Sequence, residues 1–255
     1  MNHIDFDGRA FFGFAFDNLK VDQNGHGTHT AGTAASTTLG VAKKSNIIAV
    51  KVLDAQGSGT NDDIIAGLEF VINRHESRKL EKDFRGSVIS MSLGSDTVSI
   101  ALDTAVKAAS KAGIHVSVAA GNSNKDACLT SPAGASLTSD VFSAGALNFT
   151  DTRAGFSNFG KCVSAYAPGV VVVSTFIDPV DPANGRNNII NELSGTSMAC
   201  PHVTGLMAYY LTLFPELKTD TKGLKELIVK SAESLAGLKR DDGDPGIAVL
   251  NTGSL

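Results

Sequence analysis

Three apolar runs, residues 47–53, 87–93 and 114–120, alternate with two stretches, 62–78 and 97–112, in which apolar residues recur every three or four positions. No other feature restricts the fold as strongly. Short runs of Ile, Val and Ala without a polar face are strands buried on both sides. The stretches between them have the period of an amphipathic helix. Ile64, Ile65, Leu68, Val71 and Ile72 share one face, Thr60 or Asn61 stands as the cap, and Gly113 stops the second helix. Strand, helix, strand, helix, strand demands a parallel sheet with helices on both faces. The expected class is α/β, a three-layer sandwich with a mainly parallel central sheet.

After residue 120 the order changes. Short strands are predicted at 141–147, 162–167 and 170–175, between loops rich in Ser, Asn, Gly and Pro. A long apolar helix is predicted at 197–213 and an amphipathic one at 222–234. Residues from 241 onward read as a surface tail. A chain of 255 residues fits one such domain, 1–255, better than two small ones.

Composition excludes some functions. A formal net charge of −4, with the densest charges at 74–85 mixed in sign, argues against a nucleic-acid partner. The longest apolar stretch, 198–214, contains Pro201, His202, Thr204 and Gly205, so no membrane span is expected. The opening residues 1–7 lack the apolar core of a signal peptide. Cys128, Cys162 and Cys200 match no metal spacing; buried thiols with at most one bridge are expected. Asn148-Phe149-Thr150 is a glycosylation sequon, relevant only to a chain that enters the secretory pathway.

In parallel sheets functional groups gather at the carboxyl ends of the strands, which directs attention to Leu53-Asp54, Leu93-Gly94 and Gly121-Asn122. Two other stretches stand out. In Leu193-Ser194-Gly195-Thr196-Ser197-Met198-Ala199-Cys200-Pro201-His202, Ser197 opens the apolar helix, with Pro201 taken as tolerated in its first turn. A hydroxyl there sits at the positive end of a helix, beside unpaired N–H groups able to bind an oxyanion. The ordinary alternative is a capping serine. In Asn24-Gly25-His26-Gly27-Thr28-His29-Thr30-Ala31-Gly32-Thr33, His26 lies in a Gly-flanked turn just before a small-residue helix, 28–35. A serine needs such a base before it becomes a useful nucleophile. The alternatives are a buried, hydrogen-bonded His or a two-His metal site; the spacing is not His-Glu-x-x-His and no third ligand is evident, so no metal is expected. Asn122, ending the strand Val118-Ala119-Ala120-Gly121, can supply a second oxyanion donor or can be a simple turn residue.

Together these stretches resemble the His and Ser signatures of subtilisin-like serine proteases, most of all the proteinase K group and the fungal cerevisins. Val52-Leu53-Asp54, Met91-Ser92-Leu93-Gly94, Ser131-Pro132-Ala133, Phe156-Ser157-Asn158-Phe159-Gly160-Lys161-Cys162 and Ala167-Pro168-Gly169 agree in order and spacing. The resemblance implies a subtilisin-like fold and a serine endopeptidase acting through an acyl-enzyme. It implies His26 as general base, Ser197 as nucleophile, Asn122 in the oxyanion hole and His29 as a structural histidine. It further implies that Gly57, Ser58 and Gly59 on one side, and Ser92, Leu93 and Gly94 on the other, flank an extended peptide. Ala119, Ala120 and Gly121 would then wall a pocket for apolar or aromatic side chains. Expected partners are polypeptide substrates, met by a monomer without cofactor; the compartment implied is vacuolar or secreted.

The pattern breaks in two places. The family's catalytic carboxylate comes from an Asp-Thr-Gly turn before the His signature, and no Asp-Thr-Gly precedes His26. Asp5, Asp7, Asp17 and Asp22 lie upstream and read as turn or surface carboxylates. The expectation is therefore a domain incomplete at its amino end, inactive or weakly active as it stands. Ser164 also stands where relatives place a calcium-binding Asp, so no calcium is expected there. The competing reading is a non-catalytic homologue that acts by binding. A different α/β hydrolase is disfavoured, because Gly195-Thr196-Ser197-Met198-Ala199 lacks the final Gly of a nucleophile elbow.

Overall fold

The computed structural model describes residues 3–183 and 187–232. Strand β1 (Ala10–Ala15) leads through helix α1 (His26–Ala35) to β2 (Ile47–Lys51). Then follow α2 (Asn61–Arg78), β3 (Val88–Met91), α3 (Ile100–Lys111), β4 (His115–Ala119), β5 (Phe142–Leu147) and β6 (Ala165–Pro168). The chain continues with β7 (Val172–Thr175), β8 (Ile190–Leu193), α4 (Thr196–Leu213) and α5 (Thr221–Ser231). The predicted tail from 241 lies outside the described residues.

The α/β expectation holds, with one difference in the sheet. β3, β4, β5 and β6 form one parallel sheet in that order, and β1 and β2 form a second parallel pair. β2 and β3 are not paired with each other. β7 and β8 make an antiparallel ribbon. Neither β1 nor β8 is anticipated by sequence. In β8 (Ile-Asn-Glu-Leu) and in the Phe- and Gly-rich β1, the alternation of polar and apolar residues is too weak to mark a strand.

The two faces of the larger sheet make two cores, because successive side chains of a strand point to opposite sides. Val116 and Val118 of β4 pack with Ile64 and Leu68 of α2 and with Leu102 and Val106 of α3. Ala119 of β4, Ala144 and Ala146 of β5, and Ala165 and Ala167 of β6 pack with Ala199, Val203, Leu206 and Met207 of α4. The alanines on this second face let α4 sit close against the sheet. Twelve of the eighteen α4 residues are buried, so the helix is apolar around most of its circumference rather than amphipathic.

Local chemistry sets the helix ends. Thr60 caps α2 by accepting from the Asp63 N–H. Ser99 caps α3 by accepting from the Leu102 N–H, which moves the start of that helix from the predicted Thr97 to Ile100. Cys128 and Cys162 form a disulfide and Cys200 is a buried free thiol, within the expected limit of one bridge. In a chain-entropy model, closing that loop contributes about 4 kcal/mol.

Helix α1 meets α4 where neither has a large side chain. A Cβ added to Gly205 would stand 2.6 Å from the Ala34 carbonyl oxygen and 2.6 Å from Val41 Cβ. The obstacle includes backbone, which cannot rotate away. Gly205→Ala is therefore expected to lower stability by about 1–3 kcal/mol, although alanine is the better helix former. Urea denaturation of the variant checks this.

Candidate active site

His26 is the first residue of α1, two positions earlier than the predicted start of that helix. The turn into it needs Gly25, whose φ is 94° and where a Cβ would strike the Phe176 ring. Asp22 holds the turn. Its carboxylate accepts from the N–H groups of Asn24 (3.0 Å), Gly25 (2.8 Å) and Thr28 (2.8 Å) and from the Thr28 hydroxyl (2.7 Å). Burial pushes the Asp22 carboxyl up, but these donors outweigh it and hold the group below the usual carboxylate range. A carboxylate at the start of a helix also suits its dipole.

The imidazole of His26 is half-buried and neither ring nitrogen forms a hydrogen bond. Burial pushes its pKa below the usual histidine value, with the Asp22 charge opposing. The other upstream carboxylates are engaged elsewhere or sit in a turn. Asp5 binds the Thr38 N–H and hydroxyl, Asp17 pairs with Lys51 at 2.6 Å, and Asp7 closes a short 3-10 turn.

His29 differs in kind. It is fully buried, its Nε2–H points at the carbonyls of Val172 (3.0 Å) and Asn191 (3.2 Å), and its Nδ1 has no partner. Two carbonyl acceptors fix the Nε2–H tautomer. Burial depresses its pKa, so it is a neutral clamp between α1 and the β7–β8 ribbon.

Ser197 is the second residue of α4. Pro201 is the sixth, in the second turn rather than the first, and it lacks the N–H that would bond the Ser197 carbonyl. The Ser92 hydroxyl takes over that role, donating to the Ser197 carbonyl at 2.7 Å. In return the Ser197 hydroxyl donates to the Ser92 carbonyl at 3.3 Å. The sequence carried the signal for this: a proline four residues after a serine in a helix frees that serine's carbonyl. Sequence reasoning placed Ser92 only at a substrate-binding edge.

The oxyanion donors follow from one constraint. Asn122 Oδ1 accepts from the Thr196 N–H (2.8 Å) and the Thr196 hydroxyl (2.9 Å). Both partners are donors, so the amide orientation is fixed and Nδ2 is left free. From the Cβ position of Gly195, Asn122 Nδ2 is 3.5 Å away and the Ser197 N–H nitrogen 3.6 Å. Two donor nitrogens thus lie beside a spot that the missing side chain of Gly195 leaves open. Asn158, buried and unassigned by sequence reasoning, supports this end of β4. It donates to the Ala120 carbonyl (2.8 Å) and accepts from the N–H groups of Ser123 and Lys125 (both 3.1 Å).

The start of α1 and the start of α4 lie at the same end of the molecule. Gly205 meets Ala34, and eight residues back along each helix are Ser197 and His26. At 1.5 Å per residue both lie about 12 Å from that crossing. His29, in the first turn of α1, donates to the carbonyls of Val172 and Asn191, and Asn191 lies just before the start of α4, which fits the same parallel sense. The His26 to Ser197 hydrogen bond itself is not made, since the Ser197 hydroxyl turns to Ser92.

Of the remaining predicted residues, Gly57, Ser58 and Gly59 form an exposed turn held by Asp54. Leu93 and Gly94 follow β3 without strand pairing. Ala119 and Ala120 are buried, and Gly121 has φ 104° with its N–H donated to Thr196 Oγ1 at 3.1 Å. Among the described residues no three or more His, Cys, Asp or Glu gather as a metal ion would need. Nor is any helix there long and apolar enough to cross a membrane.

A parallel-sheet frame, a serine in the first turn of a buried helix, an imidazole at the start of the helix packed against it and a free Asn122 amide nitrogen are the elements of a candidate serine-hydrolase site. The profile of the subtilase family matches residues 15–247, and the chain belongs to that family. It is 44% identical over 262 residues to subtilisin-like protease 3 of Saccharomyces cerevisiae, covering 98% of this chain and 52% of that protein. It is 48% identical over 219 residues to cerevisin of the same yeast, covering 84% of this chain and 33% of cerevisin. The crystal structure of a cold-adapted subtilisin-like serine proteinase superposes with a TM-score of 0.82 at 38% identity, covering 98% of this chain and 84% of that one. The chain thus spans about half, or less, of the length of these two yeast relatives.

Two variants test the geometry. Asp22→Ala removes the carboxylate that serves three N–H groups and is expected to cost about 2 kcal/mol at neutral pH. Because the folded pKa is depressed, that contribution is complete above the unfolded value of about 4 and fades as pH falls through the lower folded value. The gap between the two proteins in thermal melts should close on acidification. Ser92→Ala leaves the Ser197 carbonyl unpaired and is expected to cost about 1–2 kcal/mol, read by chemical denaturation.

Proposed function

We propose that the chain is the peptidase part of a serine endopeptidase working through an acyl-enzyme. Ser197 Oγ attacks the scissile carbonyl, and His26 takes its proton and returns it to the leaving amine. The oxyanion is held between Asn122 Nδ2 and the Ser197 N–H, and water then releases the acyl group. The observation that carries this reading is the fixed orientation of the Asn122 amide beside the first turn of α4. Substrates are polypeptides. The small neutral residues Ala119, Ala120 and Gly121 support a preference for apolar or aromatic side chains.

A second reading has one observation in its favour. No carboxylate among the described residues bonds the His26 ring, so nothing fixes its tautomer or stabilises its cation. On these residues alone we propose turnover about 10⁴-fold below that of a complete triad, the size of loss known when that carboxylate is removed from subtilisin and trypsin. A homologue that only binds peptides would show none.

A fluorophosphonate probe separates the two. Slow covalent labelling that disappears in Ser197→Ala is the expected outcome. Asn122→Ala should slow labelling by a further 10²–10³-fold, roughly the loss known for the corresponding amide of subtilisin. Labelling indistinguishable between wild type and Ser197→Ala would leave the binding-protein reading standing.

A further inference from the structure

The sequence contains a single Asn-x-Ser/Thr triplet, Asn148-Phe149-Thr150, and the catalytic reading makes no use of it. It lies in the turn after β5, where Leu147 and Arg153 make an isolated antiparallel bridge. Three donors occupy Asn148 Oδ1: the Thr150 N–H at 2.9 Å, the Thr150 hydroxyl at 2.8 Å and the Thr152 N–H at 3.1 Å. The carboxamide is therefore oriented by its oxygen. Its Nδ2 makes no hydrogen bond to the protein and is not buried. Asn148 is half-buried, while Phe149 is 90% exposed and Thr150 is exposed. A substituent on Nδ2 would break no bond and displace no packed group.

A second observation concerns the surroundings in which the chain folds. Cys128 and Cys162 are joined, and Asn148 lies within the loop they close. Such a bond forms and persists in oxidising compartments, the lumen of the secretory pathway among them, and that lumen is also where asparagine is glycosylated. The bond and the triplet thus point to one environment on separate grounds, covalent sulfur chemistry and a hydroxyl-containing acceptor motif.

We propose that Asn148 is a glycosylation site that carries an N-linked oligosaccharide. The donor is a lipid-pyrophosphate-linked oligosaccharide. Asn148 Nδ2 forms a bond to the anomeric carbon of its first N-acetylhexosamine, the bond from that carbon to the pyrophosphate oxygen breaks, and lipid pyrophosphate leaves. The amide gives up one proton to a base of the transferase, and nothing is oxidised or reduced. In the folded protein the sugar stands over the turn beside Phe149, an aromatic ring that the chain itself leaves uncovered.

The test is expression of the full gene product in a yeast host, followed by peptide N-glycosidase treatment in ¹⁸O water and mass analysis of the unreduced digest. The expected result is a gel shift removed by the enzyme, with ¹⁸O-labelled Asp at position 148 in the peptide pair that also contains the Cys128–Cys162 bond. The labelled Asp at position 148 should vanish in Thr150→Ala and persist, at lower occupancy, in Thr150→Ser, and Asn148→Gln should reduce the gel shift by the increment of one oligosaccharide. Unmodified Asn148 in the wild-type protein would overturn the proposal, whether the bond is formed or reduced. So would a gel shift in Asn148→Gln equal in size to that of the wild type.

Discussion

Helix α4 is buried from its first turn onward, with Ser197 alone of that turn partly accessible, and the rest of the site follows from that placement. Burial is possible because the facing strands carry alanine and serine, which leave room for Met198, Val203, Leu206 and Met207. The first turn leaves N–H groups without helical partners. One of them belongs to the very residue whose hydroxyl is the candidate nucleophile. Pro201 then frees the Ser197 carbonyl, and Ser92 at the end of β3 receives it. The sheet thereby grips the helix by its first turn, at the point where a substrate carbonyl would arrive.

Polarity around the site is arranged by donors and acceptors more than by charge. Asp22 spends its oxygens on the α1 turn, Asn122 spends its oxygen on Thr196, and His29 spends its N–H on two carbonyls. Two of them leave a defined remainder: an amide nitrogen at Asn122 and an unpartnered Nδ1 at His29. Burial is the largest influence on all six histidines and lowers the pKa of each, so imidazole enters this molecule as a neutral group. A neutral ring is the form a base must have before it accepts a proton.

Much of this was legible in the residues. The strands at 47–51, 88–91 and 115–119 and the helices at 61–78 and 100–111 follow from periodicity, and Thr60 is one of the two caps that the sequence offers for the first helix, whereas the Ser99 cap of the second is not anticipated. Ser197 at a helix mouth and Asn122 at a strand end were readable from glycine placement and position in the sheet. What periodicity could not supply was pairing. The break between β2 and β3, the β7–β8 ribbon and the buried amide of Asn158 depend on contacts between distant segments, which no local pattern encodes. The role of Ser92 is intermediate, since it needed helix register as well as sequence.

The unpaired interval between β2 and β3 has a mechanical consequence. His26 arrives on the arm that follows β1, and Ser197 on a helix seated against the four-strand block. With no ladder of backbone bonds crossing between the blocks, the spacing of His26 and Ser197 rests on side-chain packing: the contact of α1 with α4 at Ala34 and Gly205, the clamp made by His29, and the core that Val50 and Val52 share with β3 and β4. Loosening that joint would spread the two groups apart while each block kept its own shape. Chemical competence should then fade at a temperature where spectra still report an intact molecule.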